Sequence, residues 1–209
     1  MAALSFTNGA GVCRSAGGYA KSADTRARLL TAALAEASER GFMNTSVARI
    51  ADRADLAVGS VHYHFGSRGD LLRELMQELM LDLSARLAGL VLPDGADFFD
   101  RSRAELLAFV DYLRGNPAHV RLADEIKLLE PDLYRDGMSA WVDELADRIR
   151  AGIADGVIRE MDDLEVDAQA HFLLGARHFL EELLQEGDAS RDAAVVEAYL
   201  GLIRHGLGR

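Results

Sequence analysis

The chain has 209 residues, of which 49% are hydrophobic and 27% are charged. This composition excludes whole-chain disorder and a collagen-like repeat, and the length allows one large helical domain or two small ones. Only three prolines and 7% aromatic residues are present, which favours helices over a β-sandwich. We therefore expect a soluble, all-α globular protein.

A single cysteine, Cys13, excludes an internal disulfide framework and a multi-cysteine zinc or iron–sulfur site. No apolar run approaches the roughly eighteen residues that a membrane span needs. Residues 1–20 also lack the continuous apolar stretch of a secretory signal. We expect a cytoplasmic protein that binds no membrane, no metal and no cofactor.

The net charge of −11 is distributed unevenly along the chain. Residues 1–75 carry nine basic and seven acidic side chains, whereas the rest of the chain carries 14 basic and 27 acidic ones. A mildly basic amino-terminal third is what a molecule would show if only that end faced phosphate. Ordinary scatter of solvated charges is the alternative interpretation.

Apolar residues recur with a period near 3.6, which predicts about nine helices and no strand. Residues 1–22 are rich in small residues and are predicted to form a flexible arm. The first helix is predicted over 24–40, with Asp24 as its N-cap and Gly41 as its stop.

Two short helices are then predicted over 46–54 and 57–65. Ser67 and Asp70 follow at the spacing of a capping box, before a long helix that is expected to end near Pro93. The other predicted helices cover 97–115, 117–129, 132–155, 162–187 and 191–205.

The last two predicted helices carry apolar residues on more than one side. A helix of this kind must be covered both by its own subunit and by something else, and a second copy of the chain in a two-fold four-helix bundle is the economical cover. A helix central to its own subunit is the alternative. The residues predicted at the dimer interface are Ala176, Phe179, Leu183, Val196, Tyr199 and Ile203.

The two short helices are too short to be stable alone, and the turn around Asp55 and Leu56 would set them at a steep angle, as in a helix-turn-helix. The small core that fixes this angle is predicted to contain Ile50, Ala51, Leu56 and Val61. Asp55 occupies a turn position at which a left-handed backbone is usual. Short helix pairs also occur as plain structure in all-α proteins, which is the alternative.

The second short helix presents small and polar side chains that suit the major groove of DNA. Thr45 and Ser46 open the preceding helix, whose free N–H groups are a natural seat for phosphate. Arg49 lies four residues before Arg53, so the two share a face. The residues of the second helix predicted to face DNA are Val58, Gly59, Ser60, His62, Tyr63 and His64.

Order and spacing in residues 25–72 resemble the DNA-binding domain of the TetR family of transcriptional regulators. The resemblance lies in Gly41-Phe42, Thr45-Ser46-Val47, Ile50-Ala51, Val58-Gly59-Ser60-Val61, Tyr63-His64-Phe65 and Ser67-Arg68 through Leu71. It implies a homodimeric repressor that binds a palindromic operator and is released when its carboxy-terminal domain binds a small molecule. It also implies phosphate contacts from Ser46, Tyr63 and Arg68, and base reading by Val58, Gly59, Ser60 and His64.

The chain departs from the family pattern at three positions. The family usually has glycine where Asp55 stands, tyrosine where His62 stands and lysine where Arg68 stands. A guanidinium also meets phosphate well, so Arg68 is expected to serve. An imidazole at His62 would hold phosphate more weakly, or in a pH-dependent way.

The resemblance divides the chain into an arm (1–22), a DNA-binding domain (23–66) and a ligand-binding and dimerisation domain (67–209). An aromatic pocket with one cationic anchor would suit a planar or acidic organic effector. The residues predicted to contact the effector are Phe109, Tyr112, Arg121, Glu125, Tyr134, Trp141, His171 and Phe172.

Two other classes of protein are the alternatives to a ligand-responsive regulator. An enzyme is disfavoured because the chain has no third glycine after Gly9-Ala10-Gly11, no nucleophile elbow at Gly59-Ser60 and no His-Glu-x-x-His. A regulator of the same architecture that answers to a protein partner is the second class. His171 and His178 lie seven residues apart, and we interpret them as packing residues of a dimer seam rather than as metal ligands or a pH switch.

Overall fold

The computed structural model describes residues 16–186 and 189–208. Within these ranges the secondary structure is helical, with nine α-helices and two short 3-10 turns, Phe42–Asn44 and Ala189–Arg191. The α-helices are α1 (Ala16–Arg40), α2 (Val47–Arg53), α3 (Val58–Phe65), α4 (Arg68–Ala88), α5 (Phe98–Gly115), α6 (Ala118–Leu129), α7 (Pro131–Ala154), α8 (Asp163–Glu186) and α9 (Asp192–Leu207). The expected all-α fold is confirmed.

The helix ends agree with the predicted ones to within two residues at all but two places. The first exception is the beginning of α1, which starts at Ala16. Asp24 therefore lies inside the helix and is not its N-cap, and residues 16–22 belong to α1 instead of preceding it. The second is the end of α4, which stops at Ala88 with Gly89 as its C-cap rather than near Pro93.

Side-chain caps explain where α4 and α5 begin. The Ser67 hydroxyl accepts a hydrogen bond from Asp70 N, and the Asp70 carboxylate accepts one from Ser67 N, which completes the predicted capping box of α4. A second capping box, formed by Asp97 and Asp100, begins α5. Each box satisfies backbone donors that the helix itself leaves without a partner.

Buried apolar residues form two separate clusters. The first, which we call the head core, holds together α1, α2, α3, α6 and the first part of α4. The second, the body core, holds together α5, α7, α8 and α9 and takes in Leu83 near the end of α4. Helix α4 therefore contributes to both cores, with Leu72 and Leu75 in the head and Leu83 in the body.

Helix α6 packs mainly with the head, although it follows α5 of the body in the chain. Ala118, Leu122 and Ile126 lie in the head core, and Val120 faces the body core. The head core thus extends well beyond residue 66, where the sequence places the domain boundary. No helix in the described part of the chain combines the length and apolarity that crossing a bilayer requires.

Candidate nucleic-acid interface

Helices α2 and α3 and the turn between them form the predicted helix-turn-helix. Ile50, Ala51 and Val61 are buried at its centre, and Leu56 packs against them half-buried. Asp55 adopts φ 52°, the left-handed conformation predicted for the turn. The angle between the two helices is therefore held both by packing and by the turn backbone.

Helix α3 has an inner face and an outer face. Val61 and Phe65 point into the head core, whereas Val58 is 43% and Tyr63 is 62% exposed. No atom lies within 4 Å of the place that a Cβ on Gly59 would occupy. The outer face is therefore low in relief, as a helix that enters a DNA groove requires.

The beginning of α2 separates two residues that were predicted to contact DNA together. Ser46 is exposed, and its hydroxyl caps the helix by accepting from Arg49 N at 3.2 Å. Thr45 is only 5% exposed, and its hydroxyl donates to Glu36 Oε2 at 3.1 Å. Its side chain turns inward because the buried Glu36 carboxylate needs donors, so we assign Thr45 to the framework and not to the DNA surface.

Glu36 on α1 organises the arginines beside α2. Its buried carboxylate accepts from Arg53 Nη1 at 2.8 Å, and Arg40 Nε and Arg49 Nε lie 3.7 and 3.9 Å away. Arg53 also binds Glu39, so its charge is largely used within the head. About half of the Arg49 side chain is exposed, and its ion pair with Glu36 is the long contact of 3.9 Å.

Polar side chains near the end of α3 also make contacts within the chain. Arg68 donates to the Phe42 carbonyl and lies over the Phe42 ring, 5.0 Å from its centroid, while remaining exposed. His62 Nδ1 lies 3.3 Å from the Gly66 carbonyl oxygen. Partial burial, together with the charge of Arg26, lowers the pKa of His64 below its ordinary value, which favours a neutral imidazole.

Comparison with known proteins agrees with this geometry. The family described as "Bacterial regulatory proteins, tetR family" matches residues 29–75, the stretch that contains α2, the turn and α3. A curated relative from Rhodococcus jostii, the HTH-type transcriptional repressor KstR2, is 28% identical over 189 residues, which cover 87% of this chain and 90% of the relative.

Residues 29–75 therefore form a DNA-binding domain of the TetR family of transcriptional regulators.

Solved structures of this family share the fold along most of the chain. The ketosteroid transcriptional regulator KstR2 of Mycobacterium tuberculosis matches with a TM-score of 0.66 at 24% identity, over 88% of this chain and 95% of that one. A TetR-family regulator from Agrobacterium tumefaciens matches with a TM-score of 0.71 at 19% identity, over 90% and 100% of the two chains.

Glu125 of α6 holds the loop that precedes α2 in this TetR-type domain. Its carboxylate accepts from Phe42 N at 2.9 Å and from Met43 N at 3.0 Å. Gly41 has φ 81°, and a Cβ there would come within 2.8 Å of Glu125 Oε1. Only glycine combines this backbone conformation with so close an approach, so the residue that ends α1 also lets α6 dock.

A buried hydrogen-bonded group joins α4, α5 and α6. The Tyr112 hydroxyl donates to the Leu79 carbonyl at 3.0 Å and lies 2.9 Å from His119 Nδ1. Burial lowers the pKa of His119 to about 4, so its imidazole is neutral at pH 7. Because Leu79 belongs to α4, this group ties α5 to the helix that follows α3.

The eight predicted effector contacts lie in three different places. Phe109 and Tyr112 are buried beside His119. Three others face the head, since Glu125 binds the loop, Arg121 donates to Ser38 O at 3.3 Å and Tyr134 packs on the head core. Trp141 is half-buried on α7, and His171 and Phe172 are exposed on α8.

This spread follows from the docking of α6, which turns Arg121 and Glu125 toward the head instead of into the body.

The structure also has an open groove of about 600 Å³ on the head, between α1 and α4. Its lining residues are Ser22, Ala23, Arg26, Ala27, Leu30, Thr31, Leu34 and Glu78.

The predicted dimer residues of α9 belong to the core of the single chain. Val196 and Ile203 are buried in the body core, and Tyr199 packs against it with its hydroxyl donating to Leu173 O at 2.9 Å. Val196 and Ile203 are therefore covered within their own subunit, and Tyr199 is partly covered. On α8, Ala176 is half-buried, and the side chains of Phe179, Leu183 and His178 lie outside the described residues.

Sequence reasoning missed a group of polar residues inside the body core. Glu105 of α5, Arg148 of α7 and Arg177 of α8 meet there beside Tyr199. A signal was available for Arg177, because it falls on the buried stripe of α8 that runs through Val166, Ala170, Leu173 and Leu180. A charged residue at a position where the helical pattern predicts an apolar one is a signal that the sequence itself contains.

Proposed function

We propose that this chain is a cytoplasmic, ligand-responsive repressor that binds a palindromic operator as a homodimer and is released by a small-molecule inducer. The observation that carries the proposal is the outer face of α3, which is low, polar and mounted on a well-packed head. The chain is similar along most of its length to relatives that are named as repressors, and this similarity also supports the proposal.

The proposed DNA surface keeps nine of the ten predicted residues and leaves out Thr45. Base edges are read by the exposed side of α3, and phosphates are bound around it. The proposed base-reading residues are Val58, Gly59, Ser60 and His64. The proposed phosphate contacts are Ser46, Arg49, His62, Tyr63 and Arg68.

The proposed dimer surface is the outward side of α8 and α9. Phe172 is 72% and Leu202 is 71% exposed, although both belong to helices that otherwise pack the body core. Phe172 was predicted to contact the effector, and its exposure favours the dimer surface instead. Ala176, Phe179 and Leu183 follow Phe172 at helical spacing and extend the same stripe.

The dimer would place its two α3 helices on successive half-sites of the operator, roughly 34 to 36 Å apart. Effector binding in the body would change this distance through α5 and α4, which are joined by Tyr112 and Leu79. Effector and operator must then weaken each other's binding by the same factor, since the coupling free energy is shared.

The test is a salt-titrated binding assay with DNA from upstream of the gene for this chain. Arg68→Ala should weaken binding to all sequences and reduce the salt slope by about one, whereas Ser60→Ala should change the sequence preference more. Arg103→Ala is the matched control, because Arg103 is exposed on α5 and pairs with Glu197.

Equal effects of Arg68→Ala and Ser60→Ala on every sequence would contradict these roles. Absence of DNA binding by the unmodified protein at low salt would contradict the proposed function itself.

A further inference from the structure

A polar layer crosses the body core, where the surrounding residues are apolar. Glu105, Arg148, Arg177 and Tyr199 come from α5, α7, α8 and α9, so each helix of the body contributes one residue. Glu105 is buried, and about four fifths of the Arg148 side chain is covered. Charged groups are rarely placed in a core without a partner or a function.

Arg177 is held inside the body by its place on α8. Leu173 lies four residues before it and Leu180 three residues after it, and both are buried. Residues at these spacings share one helix face, so the Arg177 guanidinium points into the core. Its burial lowers its pKa below the ordinary value for arginine, and Tyr199, Glu105 and Arg148 are the charged or polar groups that act on it.

The layer contains more positive charge than negative charge. The Glu105 carboxylate accepts from Arg148 Nη1 at 2.6 Å and also lies 3.8 Å from Arg101 Nη1 at the rim of the layer. That single carboxylate faces two buried guanidinium groups. Its oxygens contact Arg148 and Arg101, so its one negative charge is shared between those two guanidinium groups and Arg177.

Three donor atoms in the layer have no acceptor among the residues that the structure describes. They are Arg148 Nε, Arg148 Nη2 and Arg177 Nε, and each is sealed from solvent. Buried donors are nearly always hydrogen-bonded in folded proteins, because an unmade bond to a charged group is costly. The missing partner must therefore be an acceptor, and an anionic one fits the excess of positive charge.

The two donors on Arg148 also indicate the shape of that acceptor. Nε and Nη2 lie on the same edge of the guanidinium, and their N–H bonds run parallel. This edge matches the two oxygens of a carboxylate in a bidentate pair. Nη1, on the other side, is already used by Glu105.

We propose that Arg148 and Arg177 bind the carboxylate of a small-molecule effector whose apolar body lies among the residues of the body core. This inference rests on the proposed function, since it names the chemical class of the inducer. The Arg148 edge binds both oxygens, Arg177 Nε binds one of them, and Glu105 holds Arg148 in orientation.

The same placement connects the carboxylate to the head. The donors are sealed, so the four helices have to shift for a ligand to reach them. Glu105 and Tyr112 lie seven residues apart on α5 and therefore share a face, and Tyr112 is bonded to the backbone of α4. A shift of α5 at the polar layer thus reaches the helix that carries α3.

Formate is the probe for this site, because it is the smallest carboxylate and needs no matching apolar body. The full-length protein is titrated with sodium formate and, at equal ionic strength, with sodium chloride, while the thermal unfolding midpoint Tm is followed. We expect Tm to rise more with formate than with chloride, since a ligand of the folded state stabilises it by mass action. Calorimetric titration then gives Kd.

Arg148→Met and Arg177→Met should each raise the Kd for formate by about tenfold or more, as expected when a charge-assisted bond is lost. Arg150→Met is the matched control, because Arg150 lies two residues from Arg148 on α7, is exposed and pairs with Asp147. It should keep the Kd of the unmodified protein. Arg148→Lys and Arg177→Lys retain the charge but not the planar edge, and should also bind formate more weakly.

The proposal is overturned if formate and chloride raise Tm equally, or if Arg148→Met and Arg150→Met bind formate with the same Kd. Operator binding measured without formate tests the proposed function separately. If the protein binds DNA but shows no specific response to formate, only the proposed anion site is contradicted. If it responds to formate, loses this response in Arg177→Met and does not bind DNA, only the proposed repressor function is contradicted.

Discussion

The head and the body treat their buried charges in opposite ways. In the head, the carboxylates of Glu36 and Glu125 are surrounded by donors, and each accepts at least two hydrogen bonds from other parts of the chain. In the body, Arg148 and Arg177 contribute three donor atoms that have no acceptor among the described residues. Within the described part of the chain, the buried carboxylates of the head are therefore hydrogen-bonded, whereas donors in the body are left without an acceptor.

This difference matches two different tasks. A surface that must meet DNA in one geometry benefits from being pre-organised, because little then has to be ordered on binding. A domain that must respond to a ligand needs an equilibrium that the ligand can bias. Unpaired donors in the body core supply that bias, since an acceptor that fills the layer stabilises only the arrangement that binds it.

The largest expected effect comes from breaking the satisfied network at Glu125. Glu125→Ala leaves the N–H groups of Phe42 and Met43 without their acceptor and should lower the free energy of unfolding by roughly 3 to 4 kcal/mol, since bonds to charged groups contribute about 1.5 to 3 kcal/mol each. Glu125→Gln retains one acceptor oxygen and should lose about half as much. Urea denaturation measures the change.

Asp124→Ala is the control for this substitution, because Asp124 is the exposed neighbour of Glu125 on α6. A loss in Glu125→Ala no larger than that in Asp124→Ala would show that the loop does not depend on the carboxylate. The contrast between head and body would then lose its clearest example.

The next effect concerns His119, which lies where the two cores meet. Burial lowers its pKa to about 4 in the folded chain, against 6.5 in the unfolded one. Between these values the unfolded state binds more protons, so stability is fully present above pH 6.5 and is lost as the pH falls toward 4. The loss from this residue should reach roughly 3 kcal/mol, at about 1.4 kcal/mol per pKa unit.

Urea denaturation of the unmodified protein and of His119→Gln at pH 7 and pH 4.5 isolates this contribution, because other titrating groups are common to both. The variant should lose less stability than the unmodified protein between the two pH values. His205→Gln, at an exposed position on α9, should behave like the unmodified protein. Equal losses in His119→Gln and the unmodified protein would mean that His119 is not held neutral by burial.

Local features of the fold were predictable, because they depend on residues close together in the chain. Helix periodicity, the Ser67–Asp70 capping box and the left-handed Asp55 all act within a few residues, and all are confirmed. The exposed side of α3 follows from the same pattern, since Val61 and Phe65 define the inner face.

Contacts between distant helices were not predictable in the same way. The spacing of Arg121 and Glu125 shows that they share a face of α6, but not that this face meets the head. The apolar face of α9 indicates that Val196 and Ile203 are covered, but not whether their own subunit or a second copy covers them. Periodicity identifies a buried face and leaves its partner open.

The smallest effect tests the one backbone position in the head that departs from ordinary geometry. Among the described non-glycine residues, Asp55 has the positive φ, which a short polar side chain tolerates better than most because it can form local hydrogen bonds. Asp55→Ala keeps a Cβ at this left-handed position but removes the polar side chain, so it should lower the free energy of unfolding by about 1 kcal/mol. Asp55→Gly removes the strain but adds about 0.5 to 1 kcal/mol of chain entropy to be lost on folding, so it should be within about 0.5 kcal/mol of the unmodified protein. If thermal unfolding showed the alanine variant to be as stable as the glycine variant, the turn would be unstrained, and only side-chain networks would distinguish the head from the body.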